Sequence, residues 1–251
     1  MSGRPVVILT GAASGIGAAL LPLLISDGCH VVASDISTLP ENSEYRSFSC
    51  DVSDVQQIDQ LFEFTIQQFG RVDVFIANAG FAYYEKTEVA AWSRTERIFK
   101  VNTISPIYTA QKMKQLHGDR PFQVIITASA MSHWPLPGYA QYGSTKAALH
   151  SFAVAYRHEL TQDQHLQLVY PIGTRTPFFD RANQSPKPLM TQSAEQVASA
   201  IMKGIHSKKK AIYPSLLFRA AFIVNRIFPI FRSIAVAIEK RSFQKWIEKN
   251  G

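Results

Sequence analysis

Cysteine is nearly absent from this chain: 251 residues include two, Cys29 and Cys50. Two thiols beside apolar runs do not make the disulfide frame of a small secreted domain. Each reads as a small buried side chain in a reducing compartment, with no catalytic part. The seven histidines show no metal-ligand spacing backed by an acid, so no metal site is expected. No uncharged apolar run reaches the ~18–20 residues that a membrane-spanning helix needs. Internal repeats and low-complexity linkers are missing as well. A cleavable leader is not expected, because the first apolar run starts at Val6 and cleavage behind it would consume the glycine-rich turn that follows. What remains is a cytoplasmic chain, 46% hydrophobic, with enough apolar residues for one good core.

Negative charge is missing from one end. Residues 208–251 hold ten Lys/Arg against two Asp/Glu, a balance of +8. The rest holds 16 against 17, a balance of −1. The body is neutral and the tail carries the whole excess.

The chain opens with a short β-branched run, residues 6–9, followed by Thr10, Gly11, Ala12, Ala13, Ser14, Gly15, Ile16 and Gly17 and then an apolar helical stretch. Strand, glycine turn and helix in that order form the context of a dinucleotide-binding turn. Glycines allow close backbone approach, and the helix N-terminus offers free N–H groups to a pyrophosphate. A second strand, residues 30–34, ends at Asp35, close to the offset at which a carboxylate takes the adenosine ribose hydroxyls. That acid repels a 2′-phosphate, and neither position 14 nor position 36 is basic. NAD(H) is therefore preferred, with NADP(H) as the alternative. Two further strands run into Asp51-Val52 and into Asn78-Ala79-Gly80. In a doubly wound sheet such strand ends converge on one crevice. The alternation of strand and helix predicts a single α/β Rossmann-type domain over residues 1–213, its sheet doubly wound and mainly parallel. Residues 214–251 form a basic amphipathic extension.

Tyr142 and Lys146 stand four residues apart, on one face of a helix, and Ser129 closes an apolar strand thirteen residues before Tyr142. A phenol is a weak acid at neutral pH, with an unperturbed pKa near ~10, and an ammonium held over it favours the phenolate. Ser129 is placed to polarise a carbonyl beside that phenol. Ser132 has the wrong spacing to Tyr142, and Tyr139 has Gly143 four residues on in place of a base.

Together these motifs resemble the short-chain dehydrogenase/reductase family. Residues 10–17 match its T-G-x-x-x-G-I-G turn, and Ser129, Tyr142 and Lys146 match its catalytic set in order and spacing. The resemblance runs from about residue 6 to Thr176. It implies that Asp51 and Val52 contact adenine, that Asn78, Ala79 and Gly80 steady the central strand, and that Asn102 positions a water linking Lys146 to solvent. It also implies that Tyr142 exchanges a proton with the substrate oxygen while Lys146 holds the nicotinamide ribose and Ser129 hydrogen-bonds the substrate. Pro171, Thr174 and Thr176 fall where the loop contacts nicotinamide and phosphates. A homodimer or tetramer is implied as well. One departure stands out. The family reads Pro-Gly after the sixth strand, whereas this chain reads Pro171-Ile172-Gly173, which moves the glycine by one and predicts a different course for the loop at Thr174.

From Ser215 on, apolar residues alternate with Arg219, Arg226 and Arg232, and Pro229 interrupts the run. A basic, aromatic, amphipathic segment suits a membrane surface, a cap on the core, or a subunit contact. No nucleic-acid motif accompanies it, so nucleic acid is not an expected partner. Trp134 and Leu136, with Phe178, Phe179, Leu189 and Met190 from the segment that covers the substrate by resemblance, give an apolar pocket suited to a lipophilic alcohol or ketone. The rival reading is a catalytically silent NAD-binding scaffold or sensor at a membrane.

Overall fold

The computed structural model describes residues 3–250 apart from 41, 42, 89, 184, 187, 189, 226, 228 and 229. Leu189 of the expected pocket and Arg226, Phe228 and Pro229 of the tail lie outside the described residues. So does the side chain of Ile230.

Seven strands form one sheet in the order β3-β2-β1-β4-β5-β6-β9. They are β1 (Val6–Thr10), β2 (His30–Asp35), β3 (Arg46–Ser49), β4 (Val74–Ala77), β5 (Phe122–Thr127), β6 (Gln164–Val169) and β9 (Ala211–Ile212), and every pairing is parallel. The order reverses at β1, so the gap between β1 and β4 is the switch point where ligands bind in such sheets. A separate two-stranded ribbon pairs β7 (Gly173–Arg175) with β8 (Thr191–Ser193).

The central strands are apolar on both sides because helices cover both faces. Val7, Leu9, Val31, Ile76 and Ile125 pack on Leu20 and Leu24 of α1 (Gly15–Ser26) and on Val197 and Ile201 of α7 (Ala194–Ser207). Their neighbours Ile8, Phe75, Val124 and Leu168 point the other way. These meet Ile58, Leu61 and Phe62 of α2 (Val55–Phe69), Met113 of α4 (Ser105–His117) and Leu149 of α5 (Ala140–Tyr156).

Helix limits follow from capping chemistry. Asp54 accepts a bond from the Gln56 N–H at 2.9 Å to open α2, and Gly70, with φ 78°, closes it. Ser193 and Gln196 make a reciprocal capping box at the start of α7, worth about 1 kcal/mol. Between α3 (Trp92–Phe99) and α4 the chain forms a π-helical turn, Lys100–Ile104, which carries the wholly buried Asn102.

The tail forms α8 (Leu216–Asn225) and α9 (Ile230–Asn250), and both fold back onto the body. Phe218 of α8 packs edge-on to Trp134, and Phe222 stacks on His133 at 4.3 Å between centroids. Phe243 and Trp246 of α9 both meet the ring of Tyr84. Among the described residues no helix is long and apolar enough to cross a membrane.

Candidate active site

At the carboxyl edge of the sheet a cleft of about 380 Å³ opens over the switch point. Its floor is the turn between β1 and α1. Gly11 and Gly15 have φ of 68° and 56°, in the left-handed region that glycine tolerates. A Cβ on Gly17 would collide with the Gly11 carbonyl oxygen, so the turn and the first turn of α1 lie backbone against backbone. Ser14 stands at the N-cap without bonding the helix N–H groups through its side chain.

The turn is held from below. Asn78 donates to the carbonyls of Thr10 and Gly11 at 3.2 Å and accepts from Thr127 at 3.1 Å. The Thr10 hydroxyl accepts from the N–H groups of Asn78 and Ala79 at 3.1 and 3.2 Å. One amide thus ties the ends of β1, β4 and β5 together. Asp35, at the end of β2, accepts from the Ala13 and Ser37 N–H groups at 3.0 Å each. Asp51 accepts from Ser53 and with Val52 lines the same cleft.

Ser129, Tyr142 and Lys146 meet at the other end of the cleft. Ser129 and Tyr142 share a hydrogen bond, and the Ser129 oxygen also accepts from the Met131 N–H at 3.1 Å. The Lys146 ammonium lies 5.7 Å from the Tyr142 ring centre and donates to the Thr127 carbonyl at 2.8 Å. Burial sets the protonation of both groups. It pushes the phenol up to about 12, with the Ser129 bond pulling the other way. It pushes Lys146 down to about 7. The sequence predicts an ammonium that lowers the phenol; burial instead raises it, and the opposing pull comes from Ser129 rather than Lys146.

Two other hydroxyls are occupied elsewhere. Ser132 donates to the Lys146 carbonyl at 2.8 Å, and the Tyr139 hydroxyl donates to Ser185 at 2.9 Å. The Asn102 side chain closes on the backbone of Phe81, accepting from its N–H at 3.1 Å and donating to its carbonyl at 2.8 Å. It stands behind Gly80, where a Cβ would lie 3.1 Å from the amide oxygen and 3.5 Å from the Lys146 nitrogen.

The displaced glycine has a packing cause. A Cβ at Gly173 would stand 2.7 Å from Pro188, so the bare position serves the contact between β7 and the segment ahead of β8. Thr174 still reaches the cleft, donating to the Ile172 carbonyl at 2.9 Å and accepting from Gln192 at 3.2 Å. Thr176 lies over Gly15.

Phe178 and Phe179, opening α6 (Phe178–Arg181), line the cleft, and Phe178 sits edge-on to Tyr142. The other expected pocket residues are placed differently. Trp134 turns outward to Phe218 because α8 covers its ring. Leu136 packs in the cluster around Tyr139. Met190 is 48% exposed. Phe81 and Met131 are cleft walls in their stead, and the strand-end pattern did not reveal them.

Arg181 was also missed as a cleft residue. Its guanidinium reaches the Ser14 hydroxyl at 3.5 Å from 167 residues away. It brings to position 14 the positive charge that the sequence lacks there, and no local pattern announces such a contact.

A family model described as short chain dehydrogenase matches residues 5–187. The chain belongs to that family. Among the proteins it is similar to is a 1,2-dihydroxy-1,2-dihydronaphthalene dehydrogenase of Pseudomonas putida, 32% identical over 70% of this chain and 72% of that one. Against two other curated oxidoreductases the matched stretch covers 66% and 63% of the relative's length, just under two thirds. Two crystal structures share the fold at a TM-score of 0.77. One is a short-chain dehydrogenase/reductase from Burkholderia phymatum in complex with NAD, at 19% identity over 89% of this chain and 93% of that one. The other is a short chain dehydrogenase from Burkholderia cenocepacia in complex with NADP, at 18% identity over 94% and 98%.

A short-chain dehydrogenase works with a nicotinamide dinucleotide, and the residues here fit one. The bare backbone at Gly11 and Gly17 would let a diphosphate approach the start of α1, and Asp35 lines the same cleft, where its carboxylate could hold ribose hydroxyls. Among the described residues no cluster is suited to a metal ion.

Proposed function

We propose that this chain is an oxidoreductase interconverting an alcohol and a ketone or aldehyde, with NAD(H) as its preferred cofactor and a lipophilic molecule as its substrate. The observation that carries the reading is the meeting of Ser129, Tyr142 and Lys146 in one cleft with the glycine turn. In this reading Ser129 holds the substrate oxygen and Tyr142 moves the proton at that oxygen. Lys146 and Thr176 bind the cofactor, which when bound supplies or takes the hydride. Asn102 keeps Phe81 and the Gly80 backbone in position beside Lys146, and in the family's scheme also holds a water. A phenol pushed up to about 12 keeps its proton at neutral pH, so it can donate that proton to a carbonyl oxygen.

The apolar walls Phe81, Met131, Phe178 and Phe179 support the lipophilic substrate. Asp35 supports NAD(H). Arg181, beside Ser14, supports the second reading, NADP(H), because a guanidinium grips phosphate. We also read the chain as cytoplasmic, peripheral at a membrane surface, and assembled as a dimer or tetramer. Exposed Ile104 and Val154, on the π-helical turn and α5, support a subunit contact.

The test is titration with NADH and NADPH, followed by turnover of sterols, long-chain alcohols and small polyols. The reading expects tighter NADH binding and turnover of the lipophilic alcohols. Cofactor binding with no turnover points to the silent scaffold, and turnover of polyols alone removes the lipophilic substrate.

A further inference from the structure

The two tail helices each have an inner and an outer side. Inward, Phe218 and Phe222 of α8 cover Trp134 and His133, which stand five and four residues after Ser129. Phe243 and Trp246 of α9 close on Tyr84, and Glu239, on the same helix face, stands near that tyrosine. One apolar cluster runs without a break from Trp246 through Tyr84 and Tyr139 to Tyr142, Phe178 and Met131. The tail is thus seated against the substrate side of the cleft.

Outward, the same helices leave apolar side chains in solvent. Leu216, Ile223 and Ile227 are 74%, 53% and 72% exposed, and Phe231, Ile234 and Ile238 are 45%, 52% and 44% exposed. Leu216 and Ile223 in α8 and Phe231, Ile234 and Ile238 in α9 follow the helical repeat, so each helix carries a stripe, and Ile227 adds to the exposed apolar surface from the turn after α8. Past Ile238 the α9 stripe continues through Arg241 and Lys245. Arg219, Arg232 and Lys240 flank the stripes, and the region from 208 to the end carries a net +8.

We infer that this outward face docks on an anionic lipid bilayer, which holds the mouth of the cleft against the membrane that supplies a lipophilic substrate. The inference rests on the proposed oxidoreductase reading only for the substrate. Exposed apolar stripes rimmed by arginine and lysine are what an interfacial helix presents to acidic headgroups. The charge argues against a second copy of this chain as the occupant, since a two-fold contact sets each tail of +8 against another of +8. It also argues against insertion across the bilayer, as does the lack of a spanning helix among the described residues.

The test is co-sedimentation of the full chain with sucrose-loaded vesicles of phosphatidylcholine, with and without phosphatidylserine. We expect sedimentation with the phosphatidylserine vesicles, little with phosphatidylcholine alone, and release by high salt. The double substitution Ile223→Asp with Ile227→Asp touches exposed positions only. It is expected to lower vesicle binding at least tenfold while the melting temperature and the turnover of a water-soluble alcohol stay unchanged. Wild-type protein left in the supernatant, binding indifferent to lipid charge, or full binding by the double variant would overturn the inference. So would a dimer in light scattering that the double variant disperses, because the face then belongs to a second copy. Failure to turn over any alcohol refutes the oxidoreductase reading and leaves the sedimentation result standing.

Discussion

Tyr142 and Lys146 are both buried, and neither has a carboxylate as partner, so each is driven toward its neutral form: the phenol up to about 12, the amine down to about 7. Proton donation by Tyr142 therefore needs no activation at neutral pH, whereas proton removal from an alcohol needs the scarce phenolate. Below the phenol's pKa the phenolate fraction grows about tenfold per pH unit. Alcohol oxidation is expected to rise by about that factor per unit between about pH 7 and about pH 9, with carbonyl reduction nearly level; the pH profiles of kcat in both directions check this. Arg181 allows a second residue-level test. If its guanidinium serves the diphosphate, Arg181→Ala weakens NADH and NADPH alike, about tenfold or more for a lost charge-assisted pair. If it serves a 2′-phosphate, titration of the variant shows a loss for NADPH only. Asp35→Ala is expected to narrow the gap between the two cofactors in the same titration.

Among the elements, the strand–turn–helix at the start has the least freedom. Gly17→Ala places a Cβ on the Gly11 carbonyl oxygen, and either that turn or α1 must move. Cofactor affinity is expected to fall by at least tenfold while the fold persists, since the rest of α1 keeps its packing on α7; NADH titration beside a thermal melt separates the two effects. In α9, Trp246→Ala removes a half-buried ring from Tyr84 and is expected to cost about 1–2 kcal/mol, less than the ~3–5 of a fully buried ring, read from denaturant unfolding. The central strands β1, β2, β4, β5 and β6 were legible in the sequence because they are buried on both faces and read as apolar runs, whereas β3, Arg-Ser-Phe-Ser, is partly exposed and announces itself only through Phe48. The ribbon of β7 and β8 was not, since three-residue strands carry no periodicity. The placement of the tail was not legible either: Phe222 meets His133 and Trp246 meets Tyr84, and such contacts between distant residues leave no local pattern. The same holds for Arg181 and Ser14. Within the site, spacing located Ser129, Tyr142 and Lys146, but it said nothing about how burial shifts their protonation.

At the scale of the whole molecule, the tail and the body join through a cluster that titrates. Burial and the neighbouring His150 push His133 down to about 4. His133 is packed by Phe222, with the Tyr213 hydroxyl at 3.3 Å from its ring nitrogen. His150, from α5, bonds the Tyr170 hydroxyl at 2.7 Å. A histidine whose folded pKa lies below its unfolded value of 6.5 contributes its full stability above 6.5. That contribution is lost as the pH falls toward 4. Melting temperature is expected to drop across that window, and His133→Phe to reduce the drop. The account rests above all on one phenol acting as proton carrier in a cleft that also binds the cofactor, and the most direct measurement pairs NADH affinity with turnover in Tyr142→Phe. The expected result is near-normal NADH binding with turnover reduced by at least about a hundredfold. Turnover within a few-fold of the unaltered protein would contradict the account.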